Sequence, residues 1–288
     1  MKKMKNLKQF YVLMLAFLFL VPALSAQGLF NAADYAKASK DANTKMVSAQ
    51  SDKNYKVSHL KDAILIDHQK LYKEGKPEGV LKPAAEIAQY LGENGISNTN
   101  SIVIYDDGDN KAAGRLYWIL KYMGVADIKI LQKDMDAWRA ARIPLTPAPS
   151  KVTPATFAPK VNAALIVDTK WVKANLKTAN VIFVDVRDPK EFAGADGKSP
   201  GHIPGAVNFE WSTINGEGGK IKSNDELNKL LKSAGISSDK TIVLYCATSV
   251  RAGLPFFVLT SLLNYPNVKV YDEALNVWSM DASNPIEK

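Results

Sequence analysis

The segment from Leu91 to Trp138 aligns without a gap on Leu231 to Trp278 at a constant offset of 140. Gly95-Ile96-Ser97 meets Gly235-Ile236-Ser237, Ile102-Val103 meets Ile242-Val243, and Tyr105, Lys129 and Trp138 meet Tyr245, Lys269 and Trp278. Upstream, Asn31–Tyr55 parallels Asp168–Phe192, and Ser58–Ala63 stands opposite Gly201–Ala206. The second copy carries about six extra residues, Gly194–Ser199, beside that last segment. A chain built this way folds as two copies of one unit, each of ordinary domain size.

Within each copy, short apolar runs rich in β-branched residues alternate with helical patterns such as Ala84–Leu91 and Asp225–Ser233. That alternation predicts an α/β fold, with a parallel sheet in each copy covered by helices on both faces. Prolines 144, 147, 149, 154 and 159 keep the stretch between the copies extended. We therefore expect a first domain at 27–146, a linker at 147–163 and a second domain at 164–288. Residues 1–26 read as a secretory signal peptide. Lys2, Lys3, Lys5 and Lys8 precede an apolar run from Phe10 to Val21, which ends in Ala23-Leu24-Ser25-Ala26. The run is short for a membrane span, so no anchor is expected after cleavage. Export to the periplasm is the expected location if the source has two membranes.

Loss of four lysines with the leader lowers the formal charge from +8 to +4. No basic stripe with interleaved aromatics suggests nucleic acid. One cysteine, Cys246, remains in the chain, so an exported protein of this sequence has no internal disulfide and carries a free thiol. On residue type alone, a cysteine after an apolar strand is a small buried hydrophobe. Its position favours more. Ile242–Tyr245 reads as a buried strand, and the apolar stretch from Gly253 to Leu263 reads as a helix. Backbone N–H groups of a tight strand-to-helix turn, with the positive end of the helix, favour an anion such as a thiolate. Arg251 adds a permanent positive charge.

This C-x4-R loop resembles the active-site loop of rhodanese-type sulfurtransferases, and the rest of the second copy agrees. Val181–Phe192 is similar to the family's strand ending in D-x-R, followed by a turn carrying E-F. Gly201-His202-Ile203-Pro204-Gly205-Ala206 is similar to its G-H-I-P-G-A signature. The resemblance implies tandem rhodanese-like domains, of which the first is inactive. The first copy has Asp106 for Cys246, Lys111 for Arg251, Ser48 for Asp185 and Gln50 for Arg187. Asp106 reads as a filler whose carboxylate satisfies the N–H groups of an anion-shaped loop.

By resemblance, Cys246 is the nucleophile that accepts sulfur as a persulfide, with no metal or organic cofactor. Ala247, Thr248, Ser249 and Val250 would supply amides, and Thr248 and Ser249 hydroxyls as well if they point inward. Arg251 binds the donor's charge or orders the loop through its carbonyls. Arg187 contacts the substrate anion, or else pairs with Asp185 or Glu191. Asp185 and His202 are expected to be structural, and Trp278 to pack near the pocket rim.

The implied partners are a small anionic sulfur donor and a thiol or cyanide acceptor, and the expected state is a monomer. The loop and the absence of a second arginine after Arg187 tilt the donor towards thiosulfate rather than 3-mercaptopyruvate. Two other classes stay open: a persulfide carrier without independent turnover, and a cysteine phosphatase. The phosphatases of similar fold have a C-x5-R loop, one residue longer than this one.

Overall fold

The computed structural model describes residues 28–288; the leader assigned to residues 1–26 lies outside them. The first domain contains β1 (Leu29–Phe30), β2 (Thr44–Ser48), β3 (His59–Leu60), β4 (Ile64–Leu65), β5 (Ser101–Tyr105), β6 (Ile128–Leu131) and β7 (Leu145–Thr146). The second contains β8 (Ile166–Val167), β9 (Val181–Asp185), β10 (Val207–Asn208), β11 (Thr241–Tyr245) and β12 (Val268–Tyr271). Each domain forms a five-stranded parallel sheet, in the order β1-β6-β5-β2-β4 and β8-β12-β11-β9-β10 respectively. The two orders are the same under the repeat. A small antiparallel ribbon of β3 with β7 closes the first domain.

Side-chain alternation along the central strands divides the core. Ile102 and Ile104 of β5, with Ile242 and Leu244 of β11, join one apolar cluster that runs across both domains. Val103 and Tyr105 face a cluster private to the first domain, and Val243 and Tyr245 one private to the second. Cys246, two residues beyond Leu244, belongs to the shared side.

Helices cover both faces. On the shared side lie Ala84–Glu93, Lys111–Tyr122, Asn224–Ser233 and Gly253–Phe257; on the private sides lie Ala32–Ala38, Met135–Ala140, Thr169–Asn175 and Ala274–Trp278. The Asn224–Ser233 helix starts at a capping box, in which Ser223 accepts from the Glu226 N–H and Glu226 from the Ser223 N–H. Such a cap contributes about 1 kcal/mol.

The domains meet where the helices following β5 and β11 cross. A Cβ on Gly114 would lie 2.5 Å from the Leu254 nitrogen, and one on Gly253 would lie 2.4 Å from the Arg115 nitrogen. Backbone therefore touches backbone, and only glycine fits at either position. The linker is extended, as its prolines predict, and it is fastened to the first domain. Ala155 N donates to Gly92 O at 2.8 Å, Lys160 N to Met123 O at 3.0 Å and Asn162 N to Tyr122 O at 2.8 Å.

Candidate active site

β11 pairs with β9 along its whole length, with Tyr245 opposite Asp185. Cys246 thus leaves the C-terminal end of the central strand beside the D-x-R segment, where parallel α/β sheets place their ligands. Cys246 is buried, which keeps bulk water from the sulfur. Its carbonyl accepts from Leu275 N, and the Ala247 carbonyl accepts from Asn276 N, both at 3.0 Å. The loop's carbonyls are thereby engaged on the outside. Among the described residues, no protein group accepts the backbone N–H of Ala247, Thr248, Ser249, Val250 or Arg251.

The first domain's loop supplies the contrast. Asp106 accepts from Gly108 N at 2.8 Å, Asn110 N at 3.2 Å and Ala113 N at 3.1 Å. Burial pushes its carboxyl up, while the amide hydrogen bonds pull the other way. The filler reading of Asp106 therefore agrees with the geometry. The loops differ in detail, since the left-handed residue is Asn110 in one and Ser249 in the other, one position apart under the repeat.

Arg187 needs correction as a substrate contact. Its Nε lies 2.8 Å from Asp185 Oδ1 and its Nη2 2.5 Å from Asp185 Oδ2, while Nη1 donates to Ser199 Oγ at 2.7 Å and Nη2 to the Gly201 carbonyl at 2.8 Å. With 1% of its surface exposed, it is a buried brace between β9 and the G-H-I-P-G-A turn. Ser199, from the extra residues of the second copy, supplies part of that brace. The first copy builds the corresponding brace without an arginine: Ser48 Oγ donates to Gln50 Oε1 at 3.0 Å, and Gln50 Nε2 donates to Asp107 Oδ1 at 3.3 Å and reaches the Ser58 carbonyl at 3.5 Å.

His202 is held by its neighbours within the G-H-I-P-G-A turn. Its ring stacks on Phe192 at 3.6 Å between centroids, and Nδ1 meets the Phe192 carbonyl at 2.9 Å. His59 does the same with Tyr55.

Two further expectations change. The Ser249 hydroxyl donates to the Tyr271 carbonyl and is buried, so it holds the loop and does not face a sulfur ligand. Trp278 is wholly buried in the second domain's private cluster, not at a rim, because its face of the sheet is the one away from Cys246. Thr248, Val250 and Arg251 do line a cavity of about 900 Å³, and the opposite wall comes from the first domain through His68, Tyr72, Lys73, Lys76 and Gly79. Lys111 also lines it. His68 sits 2.7 Å from Tyr72 Oη, and burial, with the nearby Arg115 charge, lowers its pKa to about 4. It faces the cavity as a neutral ring near pH 7.

Arg251 lines this cavity but orders no loop carbonyl. It forms a two-pronged pair with Glu191, Nη1 to Oε2 at 2.6 Å and Nη2 to Oε1 at 2.8 Å. Burial opposes its charge, but hydrogen bonding to Glu191 and the pull of the Cys246 charge raise its pKa. Glu191 is correspondingly lowered from its ordinary 4.5, chiefly by the hydrogen bond from Arg251. A lowered carboxylate stabilises the fold fully above its ordinary value, and that stabilisation is lost as the pH falls through the folded value. We expect urea stability to decline below about pH 4.5 in part through this pair, and Glu191→Gln to flatten that acid limb. An unchanged limb in Glu191→Gln would mean that the pair contributes nothing there.

Sequence reasoning missed His68, Tyr72, Gly79 and Arg115, all from the first copy. The one available signal was Arg115 itself, a cation immediately before the apolar run Leu116–Leu120, whose repeat counterpart is Pro255.

The sheet order, the cysteine loop and its braced D-x-R strand define a tandem α/β protein with one cysteine-bearing loop. Residues 31–141 and 168–281 each match the Rhodanese-like domain, and the chain belongs to that family. A Mycobacterium bovis protein named "Putative thiosulfate sulfurtransferase 1" is 31% identical over 270 residues, covering 88% of this chain and 96% of its own. The "Sulfur carrier protein TtuD" of Thermus thermophilus is 31% identical over 248 residues, covering 81% of this chain and 87% of that protein. Among solved structures, SseA from Escherichia coli, described among 3-mercaptopyruvate sulfotransferases, matches with a TM-score of 0.78 at 25% identity. That match covers 86% of this chain and 98% of the other.

Proposed function

We propose that the protein is a sulfurtransferase that moves sulfane sulfur from thiosulfate to a thiophilic acceptor, cyanide or a thiol, through a persulfide on Cys246. The observation that carries this reading is the contrast between the loops. One has its amides taken by Asp106, whereas the other holds a cysteine at that place and leaves its amides without protein acceptors. The Cys246 thiolate attacks the outer sulfur of thiosulfate, the S–S bond breaks, and sulfite leaves with the bonding electrons. The loop amides then hold the terminal persulfide anion. The acceptor attacks that sulfur and regenerates the thiolate. Lys73, Lys76 and Lys111 around the cavity outnumber its one lining carboxylate, Glu78, which suits a doubly negative donor. No step requires a cofactor.

We further propose that the protein is exported as a monomer, with the leader removed after Ala26 and the mature chain in the periplasm. Intact-mass measurement of protein purified from its own cells, before and after thiosulfate, reads both proposals. The expected mass starts at residue 27 and gains one sulfur atom. A gain only with 3-mercaptopyruvate would change the donor, and a gain without turnover on cyanide or thiols would favour a carrier. No gain with either donor would overturn the sulfur reading.

A further inference from the structure

The Cys246 loop has to keep its shape while its amides stay free for a ligand. The first copy's loop is held from inside by Asp106, but an internal acceptor at 246 would occupy the groups that the sulfur chemistry needs. The second loop therefore has to be held from outside. The side chain that does so comes from the other domain.

Arg115, on the Lys111–Tyr122 helix of the first domain, is fully buried. Its Nη1 donates to the Ser249 carbonyl at 3.4 Å, Nη2 to the Gly79 carbonyl at 3.0 Å and to Asp272 Oδ1 at 2.7 Å, and Nε to Tyr72 Oη at 3.1 Å. The guanidinium also lies over the Tyr72 ring, 5.2 Å from its centroid. One planar group thus joins the cavity's first-domain wall, the residue after β12 and the cysteine loop. Asp272 in turn accepts from Leu81 N at 3.0 Å.

Ser249 is gripped on both sides, its hydroxyl by the Tyr271 carbonyl and its own carbonyl by Arg115. Its left-handed backbone, φ 58°, is unfavourable for a residue with a Cβ and persists only where such contacts fix it. In a trans peptide the C=O of one residue and the N–H of the next point in opposite directions. Drawing the Ser249 carbonyl to Arg115 therefore turns the Val250 amide away from it. Val250 is the repeat counterpart of Asn110, whose amide donates to Asp106 at the cysteine position. Arg115 itself has no counterpart, since the equivalent residue is Pro255.

We infer that Arg115 is a positioning residue for sulfur transfer, holding the Cys246 loop in its anion-binding shape from the neighbouring domain. This rests on the reading of Cys246 as the sulfur acceptor. The test uses the full-length chain with Arg115→Met and Arg115→Lys, and with Asp272→Asn as a variant that keeps the arginine. Each is checked for a native melt and assayed for the rate of persulfide formation from thiosulfate. The rate of Cys246 alkylation by iodoacetamide against pH is a readout independent of sulfur chemistry.

Arg115→Met should slow persulfide formation on the order of 100-fold, as expected for a misplaced reacting group. The thiosulfate concentration for half-maximal rate should change little, and the alkylation pH profile should move. Arg115→Lys should recover part of the rate. If Arg115→Met does not fold, Asp272→Asn should show the same signature in weaker form. Wild-type persulfide formation and alkylation in a folded Arg115→Met, or in Asp272→Asn if only that folds, would overturn the inference. A shifted alkylation profile in a protein that takes no sulfur even as wild type would uphold the positioning role and reject the sulfur reading.

Discussion

Replacing Cys246 with aspartate is expected to abolish sulfur transfer while the protein stays folded. Aspartate is what the first copy carries at this place, where its carboxylate takes three loop amides. The counterparts of those amide residues are Thr248, Val250 and Gly253. A carboxylate there accepts no sulfane sulfur, and loss of a covalent nucleophile lowers turnover by roughly 10⁴-fold or more. Cys246→Ala should be as inactive, but the amides of Thr248 and Val250 remain free, the Gly253 amide being taken by the Val250 carbonyl at 3.2 Å, so it should still bind sulfite while Cys246→Asp should not. Turnover, calorimetric sulfite titration and thermal melting together decide the matter. Residual transfer above that level in either variant would remove Cys246 from the mechanism.

The second large effect is on stability. Arg187→Gln is expected to destabilise the protein by about 3–5 kcal/mol, because it leaves the wholly buried Asp185 carboxylate without its cation. The first copy makes the corresponding brace without an arginine, through Ser48 and Gln50, whose amide also donates to Asp107. Adding Asp185→Ser to Arg187→Gln transplants the serine–glutamine pair and removes the unpaired carboxylate, and the double variant should recover much of the loss. Urea unfolding of the two single variants and the double closes a cycle with a coupling of about 2 kcal/mol. If the single losses simply add, the brace is not a unit. Arg187 would then have to be explained otherwise.

The repeat, the parallel sheets and the cysteine at a strand end were legible because each is written locally, in periodicity and in residue type. His202 was legible too, since its turn occurs twice with the same histidine. What lay hidden depends on how the domains dock. Nothing in Ser249 announces that its hydroxyl turns to the Tyr271 carbonyl, and the choice between Asp185 and a substrate for Arg187 is made by burial. The cavity's first-domain wall, from His68 to Gly79, has no counterpart signal, because the loop residues it faces, Thr248, Val250 and Arg251, lie more than a hundred residues away in sequence.

The glycine crossing makes the chain a homodimer in all but covalent structure. Gly114 meets Leu254 and Gly253 meets Arg115, a nearly self-complementary contact of the kind that two identical subunits would form about a two-fold axis. Tethering through the fastened linker removes any dependence on concentration. It also lifts the requirement that both partners be alike. In a true dimer, an arginine added to serve the neighbour's loop would appear twice, and so would an aspartate sealing a loop. Here each can occur once, so that one half is specialised as the holder and the other as the held.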